Sequence, residues 1–126
     1  MSYRRGRCRA ACATIAGALV LLTNLAHAAE ATRGAQLYEA RCGGCHSVEA
    51  DRIGPRHAHL AGRKAGSVAG FDYSPALRSS SIVWTAATLD LWLADPEKLI
   101  PGQRMNYRID DAAERADIVA WLVTLK

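Results

Sequence analysis

Cys42-Gly43-Gly44-Cys45-His46 places two thiols three positions apart directly before an imidazole, which is the spacing for covalent attachment of a c-type haem. Each thiol can add across one haem vinyl group to form a thioether, and the adjacent histidine can then swing under the ring to bind iron. The two intervening glycines let the backbone turn close to the porphyrin edge, and bulkier residues there should be tolerated. A thioredoxin-like dithiol would expect a βαβ pattern around its Cys-x-x-Cys. A structural zinc site would need four ligands. Beyond this pair the chain offers only Cys8 and Cys12.

Those two cysteines fall in a segment with the organisation of a secretory leader. Arg4, Arg5, Arg7 and Arg9 form a positive end, an apolar stretch follows from about Ala10 to Leu25, and Ala26-His27-Ala28 offers a small-residue cleavage site. Residues 1–28 are therefore expected to be a signal peptide cleaved after Ala28, leaving 29–126 as one monohaem domain in the periplasm. The apolar stretch, broken by Thr23 and Asn24, is short of the roughly 20 residues that span a bilayer. Removing the leader also changes the charge argument. The chain carries 16 Lys and Arg against 12 Asp and Glu; four of the arginines and none of the acids lie in the leader, so the remainder is balanced. The basic pI belongs to the signal, and compositional support for nucleic-acid binding or an anionic membrane disappears with it.

Helical signals dominate the remaining residues. Thr32 can cap a helix running to about Cys42, with Arg33, Leu37 and Arg41 at four-residue steps. Residues 47–83 hold Gly54, Gly62, Gly66, Gly70, Pro55 and Pro75 without a sustained period, and are expected to form loop with short turns. Thr85 can cap a second helix over Ala86 to Ala94, with Leu89, Trp92 and Leu93 on one face. Asp95-Pro96 stops it and starts a single turn through Leu99. Asp111 followed by Glu114 predicts a capping box for a last helix, whose Ile118, Trp121, Leu122 and Leu125 form an apolar stripe. No alternating strand pattern competes, so the class is all-α.

The iron opposite His46 needs a second donor or an open position. Met1 and Met105 are the only methionines, and Met1 leaves with the leader. Met105 lies in the loop Ile100-Pro101-Gly102-Gln103-Arg104-Met105, where no helical stripe requires a methionine as core filler. His57 and His59 are the competing donors. They follow the haem motif closely, so they suit the His46 side of the ring better than the far face, and surface exposure is their ordinary expectation.

These residues together resemble the class I cytochromes c, over nearly all of 31–126. Gly34 and Tyr38 resemble the family's glycine and aromatic on the first helix, which cross the last helix where Ile118 and Trp121 stand. The resemblance implies that the N- and C-terminal helices cross and that short helices and loops wrap one covalent haem c. It implies that the Pro55 carbonyl accepts a hydrogen bond from the ligating imidazole, and that Arg63, Tyr73 and Trp84 hydrogen-bond the inner propionate, as a buried carboxylate requires. Pro101-Gly102-Gln103-Arg104-Met105 resembles the family's methionine loop. Several positions depart from the pattern. His57 replaces the usual leucine against the haem and His59 the usual glycine. Gln103 replaces a threonine that bonds a propionate, and Trp92 replaces the tyrosine that bonds the methionine sulfur. Leu77 stands for an asparagine of the buried water network, and Glu97 interrupts the cationic rim of Arg41, Arg52, Arg56, Lys64, Lys98, Arg104 and Arg108.

The function implied is a periplasmic, monomeric one-electron carrier, not an enzyme, with His46 and Met105 as axial ligands. Partners implied by the resemblance are a quinol:cytochrome c reductase, a terminal oxidase or a periplasmic dehydrogenase, with no nucleic acid and no stable membrane insertion. A haem peroxidase with a labile methionine ligand, or a sensing module, are the alternative classes.

Overall fold

The computed structural model describes residues 30–126; the expected leader and its cleavage site lie outside them. The described residues form five helices: α1 over 30–41, α2 Pro75–Ser79, α3 Ala86–Ala94, α4 Pro96–Leu99, which Asp95 alone separates from α3, and α5 Ala112–Leu122. Among the described residues no strand forms, and the single isolated bridge joins Lys64 to Val83. The all-α expectation agrees with this architecture.

The caps expected at Thr85 and Asp95 form. The Thr85 hydroxyl accepts from the Thr88 amide while the Thr88 hydroxyl accepts from the Thr85 amide, closing a reciprocal box at the start of α3. Asp95 accepts from the Lys98 amide and Pro96 occupies the first turn of α4, where its missing N–H has no cost. At α5 the box is only half made. Asp111 accepts from Ala113 and Glu114 amides, which holds its carboxyl below the usual range. Glu114 instead turns outward to take two hydrogen bonds from Arg41 on α1, at 2.8 and 3.1 Å. Three further expectations are corrected. α1 is already helical at Glu30, so Thr32 lies inside it. α5 ends at Leu122, leaving Leu125 beyond the helix. The stretch 47–83 contains α2, started by Ser74 accepting from the Leu77 amide with Pro75 in the first turn; five residues are too few for a period to be visible.

The frame of the molecule is the crossing of α1 and α5. Gly34 sits at it: a Cβ there would lie 2.7 Å from the Asp117 carbonyl carbon and 2.9 Å from the Trp121 Cβ, and closer still to the Asp117 carbonyl oxygen. One turn on, Tyr38 packs on Trp121 with ring centroids 4.4 Å apart, and Arg33 pairs with Asp117 at 3.0 Å. Behind the crossing, α5 packs on α3 through buried Ile118, Leu122, Leu89 and Leu93, each contributing about 1.5–3 kcal/mol by leaving water. The segment between α4 and α5 is pinned where the Ile109 amide donates to the Leu93 carbonyl.

His59 is the one described non-glycine residue with a left-handed backbone, at φ 53°, and it is exposed. A side chain in that region costs roughly 1–2 kcal/mol, of which glycine would return part to unfolded-chain entropy. His59→Gly is expected to stabilise the protein by about 0.5 kcal/mol and His59→Val to destabilise it by about 1 kcal/mol, as read by urea unfolding.

Candidate functional site

α1 ends at residue 41 and delivers the attachment motif from its last turn. The amides of Cys42 and Gly43 both donate to the Tyr38 carbonyl, and those of Cys45 and His46 to the Cys42 carbonyl, so the motif is a continuation of helical turns. Cys42 is half-buried and Cys45 exposed, and neither is in a disulfide. Burial, with Cys45 adding to it, pushes the Cys42 thiol up to about 11. Reactive dithiols and metal thiolates work the other way, by a depressed thiol. Among the described residues no group of three or more His, Cys, Asp or Glu side chains gathers to hold a metal ion. The two glycines are not equally permissive, contrary to expectation. Gly44 faces open space, whereas a Cβ on Gly43 would lie 2.6 Å from the Glu39 carbonyl oxygen.

His46 is held by its edge and its face. Its Nδ1 lies 2.9 Å from the Pro55 carbonyl, which assigns the proton to Nδ1 and leaves Nε2 with its lone pair free. Gly54 closes in so tightly that a Cβ there would lie 2.5 Å from Nδ1 and 2.6 Å from Nε2. Burial lowers the His46 pKa, partly offset by the Pro55 bond, so the ring is a neutral donor at physiological pH. The segment that carries Pro55 is anchored by the Gly54 amide donating to the Cys45 carbonyl and the His57 amide donating to the Ser47 carbonyl.

His57 is not a surface residue. It stacks on His46 with centroids 4.2 Å apart and planes at 22°, and its Nδ1 shares a 3.1 Å hydrogen bond with the Tyr38 hydroxyl. Burial, with His46 and Arg63 adding to it, pushes its pKa down to about 3. His59, by contrast, is exposed as expected.

Arg63, Tyr73, Trp84 and Trp92 are brought together, with the Arg63 guanidinium on the carbonyls either side of His57. The Gly62 amide donates to the Trp84 carbonyl and the Trp84 amide to the Arg63 carbonyl, tying the two segments. The Arg63 guanidinium donates to the Ala58 and Arg56 carbonyls at 2.8 and 2.9 Å, and burial lowers its pKa. Tyr73 accepts from the Val68 amide at 3.4 Å, keeping its own hydroxyl proton available, and burial raises its pKa. Trp84 and Trp92 meet edge to face at 5.4 Å. Among the described residues the indole N–H of neither has a hydrogen-bond partner, the Met105 sulfur included, although the two residues are only 6% and 7% exposed. Two indole N–H groups that have no protein partner and are not sealed off, two free thiols and an imidazole with its Nε2 free make a donor set that fits a haem and its propionate.

Met105 is half-buried against the core cluster on a loop that braces itself. Glu97 accepts from the Gly102 amide at 2.9 Å and from the Gln103 side-chain amide at 3.3 Å, while the Gln103 side-chain carbonyl accepts from the Met105 amide. Glu97, noticed in the sequence only as a break in the cationic rim, is therefore part of the methionine loop. Its signal was present: an acid in the first turn of a helix that a Pro-Gly turn follows. The rim itself is mostly neutralised. Arg41 pairs with Glu114, Arg56 with Asp51, Arg104 with Asp72 and Arg108 with Asp110, leaving Arg52, Lys64 and Lys98 outside any ion pair among the described residues.

Known proteins match both sequence and fold. The cytochrome c family model covers residues 31–126. A cytochrome c2 of Rhodomicrobium vannielii is 34% identical over 116 residues, covering 89% of this chain and 92% of that protein. A cytochrome c 2.1 of Caenorhabditis briggsae is 42% identical over 93 residues, 71% of this chain and 83% of that one. Among solved structures, cytochrome cH from Methylobacterium extorquens superposes with a TM-score of 0.70 at 38% identity, covering 75% of this chain and 97% of that chain. Ferricytochrome c2 from Rhodopseudomonas palustris does so with a TM-score of 0.71 at 33% identity, covering 76% and 98%.

Proposed function

Because the chain belongs to the cytochrome c family of one-electron carriers, we propose that it is an exported, periplasmic carrier with His46 and Met105 as the axial ligands of its haem. The single haem c is attached through Cys42 and Cys45, and when bound it supplies an iron that changes oxidation state by one electron. The observation that supports the ligand assignment is the 2.9 Å bond from His46 Nδ1 to the Pro55 carbonyl, which places the proton on Nδ1, leaves the Nε2 lone pair for the iron and raises its basicity. Met105 contributes soft sulfur, which favours the reduced state, on a loop held by Glu97 and Gln103. Arg63, Tyr73, Trp84 and Trp92 line the interior that would receive the propionate and the sulfur, and they exclude water while offering N–H and O–H donors. No residue here needs to release or abstract a proton for the transfer, so little reorganises.

The ferric protein is expected to be low-spin with the weak sulfur-to-iron charge-transfer band. A high-spin spectrum without that band would sink the carrier reading and favour a haem enzyme with an open position.

The proposed partners are a quinol:cytochrome c reductase and a terminal oxidase or periplasmic dehydrogenase. Internal pairing of Arg41, Arg56, Arg104 and Arg108 leaves few free cations for steering. The rate of electron exchange with a reduced quinol:cytochrome c reductase is expected to fall by less than about tenfold between roughly 10 and 150 mM ionic strength. Stopped-flow mixing reads this directly, and a steep fall would show that the ion pairs open on docking. Among the described residues no helix is long and apolar enough to cross a membrane.

A further inference from the structure

One cluster in the site is unused by electron carriage as described. His57, half-buried beside His46, occupies a place where a leucine is usual in this family, and a leucine could fill the volume but could neither stack nor hydrogen-bond. We propose that His57 is a positioning residue for His46, fixing the plane of the ligand imidazole through a ring stack that is itself anchored by Tyr38. The inference rests on the proposed ligation by His46.

The other restraints leave His46 one freedom. The Pro55 bond at 2.9 Å fixes where Nδ1 points, but one hydrogen bond is an axis about which a ring can rock. Gly54 packs its backbone against the ring but carries no side chain that could present a second ring face to it. The His57 ring, 4.2 Å away and inclined by only 22°, presents a flat face, so rotation of His46 out of its plane would drive ring into ring.

That face is itself fixed. The Tyr38 hydroxyl shares a 3.1 Å hydrogen bond with His57 Nδ1, and the two rings also meet edge-on at 5.6 Å. The backbone on both sides is tied down, the His57 amide to the Ser47 carbonyl at 3.0 Å and the Ala58 amide to the Val48 carbonyl at 2.8 Å. Tyr38 is buried and packs on Trp121. A continuous set of contacts therefore runs from the α1 and α5 crossing through Tyr38 and His57 to His46, and the rigid frame of the fold determines the orientation of one ligand ring.

The orientation of an axial imidazole sets the magnetic axes of low-spin ferric iron, so electron paramagnetic resonance g-values and the order of haem-methyl proton shifts report it independently of electron-transfer rate. The test uses the holoprotein and three variants. His57→Leu is expected to keep covalent haem and the sulfur-to-iron band while shifting and broadening the g-values and reordering the methyl shifts. His57→Phe keeps a ring face and is expected to retain the wild-type pattern more closely. Tyr38→Phe removes only the hydroxyl and is expected to shift the pattern in the direction of His57→Leu; it decides the matter if His57→Leu yields no holoprotein. Unchanged g-values and methyl shifts in the leucine variant, or in Tyr38→Phe where that variant decides, overturn the proposal, as does a phenylalanine variant altered as much as the leucine one. A high-spin wild type overturns the ligation reading and this proposal together, whereas a low-spin wild type with insensitive variants overturns only the positioning role.

Discussion

Met105→Ala is expected to retain the covalent haem and yet lower the reduction potential by on the order of 0.2 V, a fraction of the ~0.8 V span that axial ligands command. For a one-electron couple that is roughly a thousandfold change in the equilibrium with any partner, enough to remove the protein from its circuit. Two features of the chain direct the effect. Met1 and Met105 are its only methionines, so no other thioether can reach the iron once the leader is gone. The loop that carries Met105 is held from both sides, by Glu97 on the Gly102 amide and by Arg104 on Asp72 at 3.3 Å. Truncating one side chain should therefore open a coordination position without collapsing the loop. Ferric iron in the variant should bind imidazole or cyanide at rates far above the wild type. A redox titration and a ligand-binding series read the two consequences separately, and an unchanged potential would rule out Met105 as a ligand.

What the sequence made legible was whatever chemistry is local. Thr85 with Thr88, Asp95-Pro96 and Asp111 each state a helix start within three or four residues, and the stripes of Leu89, Trp92, Leu93 and of Ile118, Trp121, Leu122 turn inward as their period requires. Cys42, Cys45 and His46 are a contiguous motif, so the cofactor could be read before the fold. Contacts between distant residues were harder. Glu114 suits a box with Asp111 by spacing, but Arg41, 73 residues earlier, sets one guanidinium nitrogen on both Glu114 oxygens, and a charge-assisted pair outcompetes a bond to one backbone amide. The cationic rim reads as free charge for the same reason: Asp51, Asp72, Asp110 and Glu114 neutralise it in three dimensions. His57 and His59 are two positions apart and look alike in sequence. One is half-buried and stacked on the ligand ring and the other is exposed in a left-handed turn, a difference set by the loop's path and not by composition.

Gly34→Ala is expected to destabilise the protein by about 3 kcal/mol. The reason is what the added Cβ would meet. The obstacle is not a side chain that could rotate away but the Asp117 peptide group of α5, with the Asp117 carbonyl carbon 2.7 Å distant and Trp121 Cβ at 2.9 Å. Backbone can yield only by moving the whole helix. Opening the crossing would loosen the Tyr38 and Trp121 stack and the Arg33 and Asp117 pair, and would expose part of Ile118, which is fully buried. A loss of that size is a large share of the 5–15 kcal/mol that holds a domain together. Denaturant unfolding of the holoprotein measures it, with Gly44→Ala as the comparison. Gly44 also sits near the end of α1, yet nothing lies within 4 Å of a Cβ built there, and its substitution should change stability by no more than about 0.5 kcal/mol. Similar losses for the two would mean that backbone entropy, and not the helix crossing, accounts for the effect. A large loss for Gly34→Ala alone, accompanied by the g-value shifts expected of Tyr38→Phe, would tie the crossing to the orientation of His46.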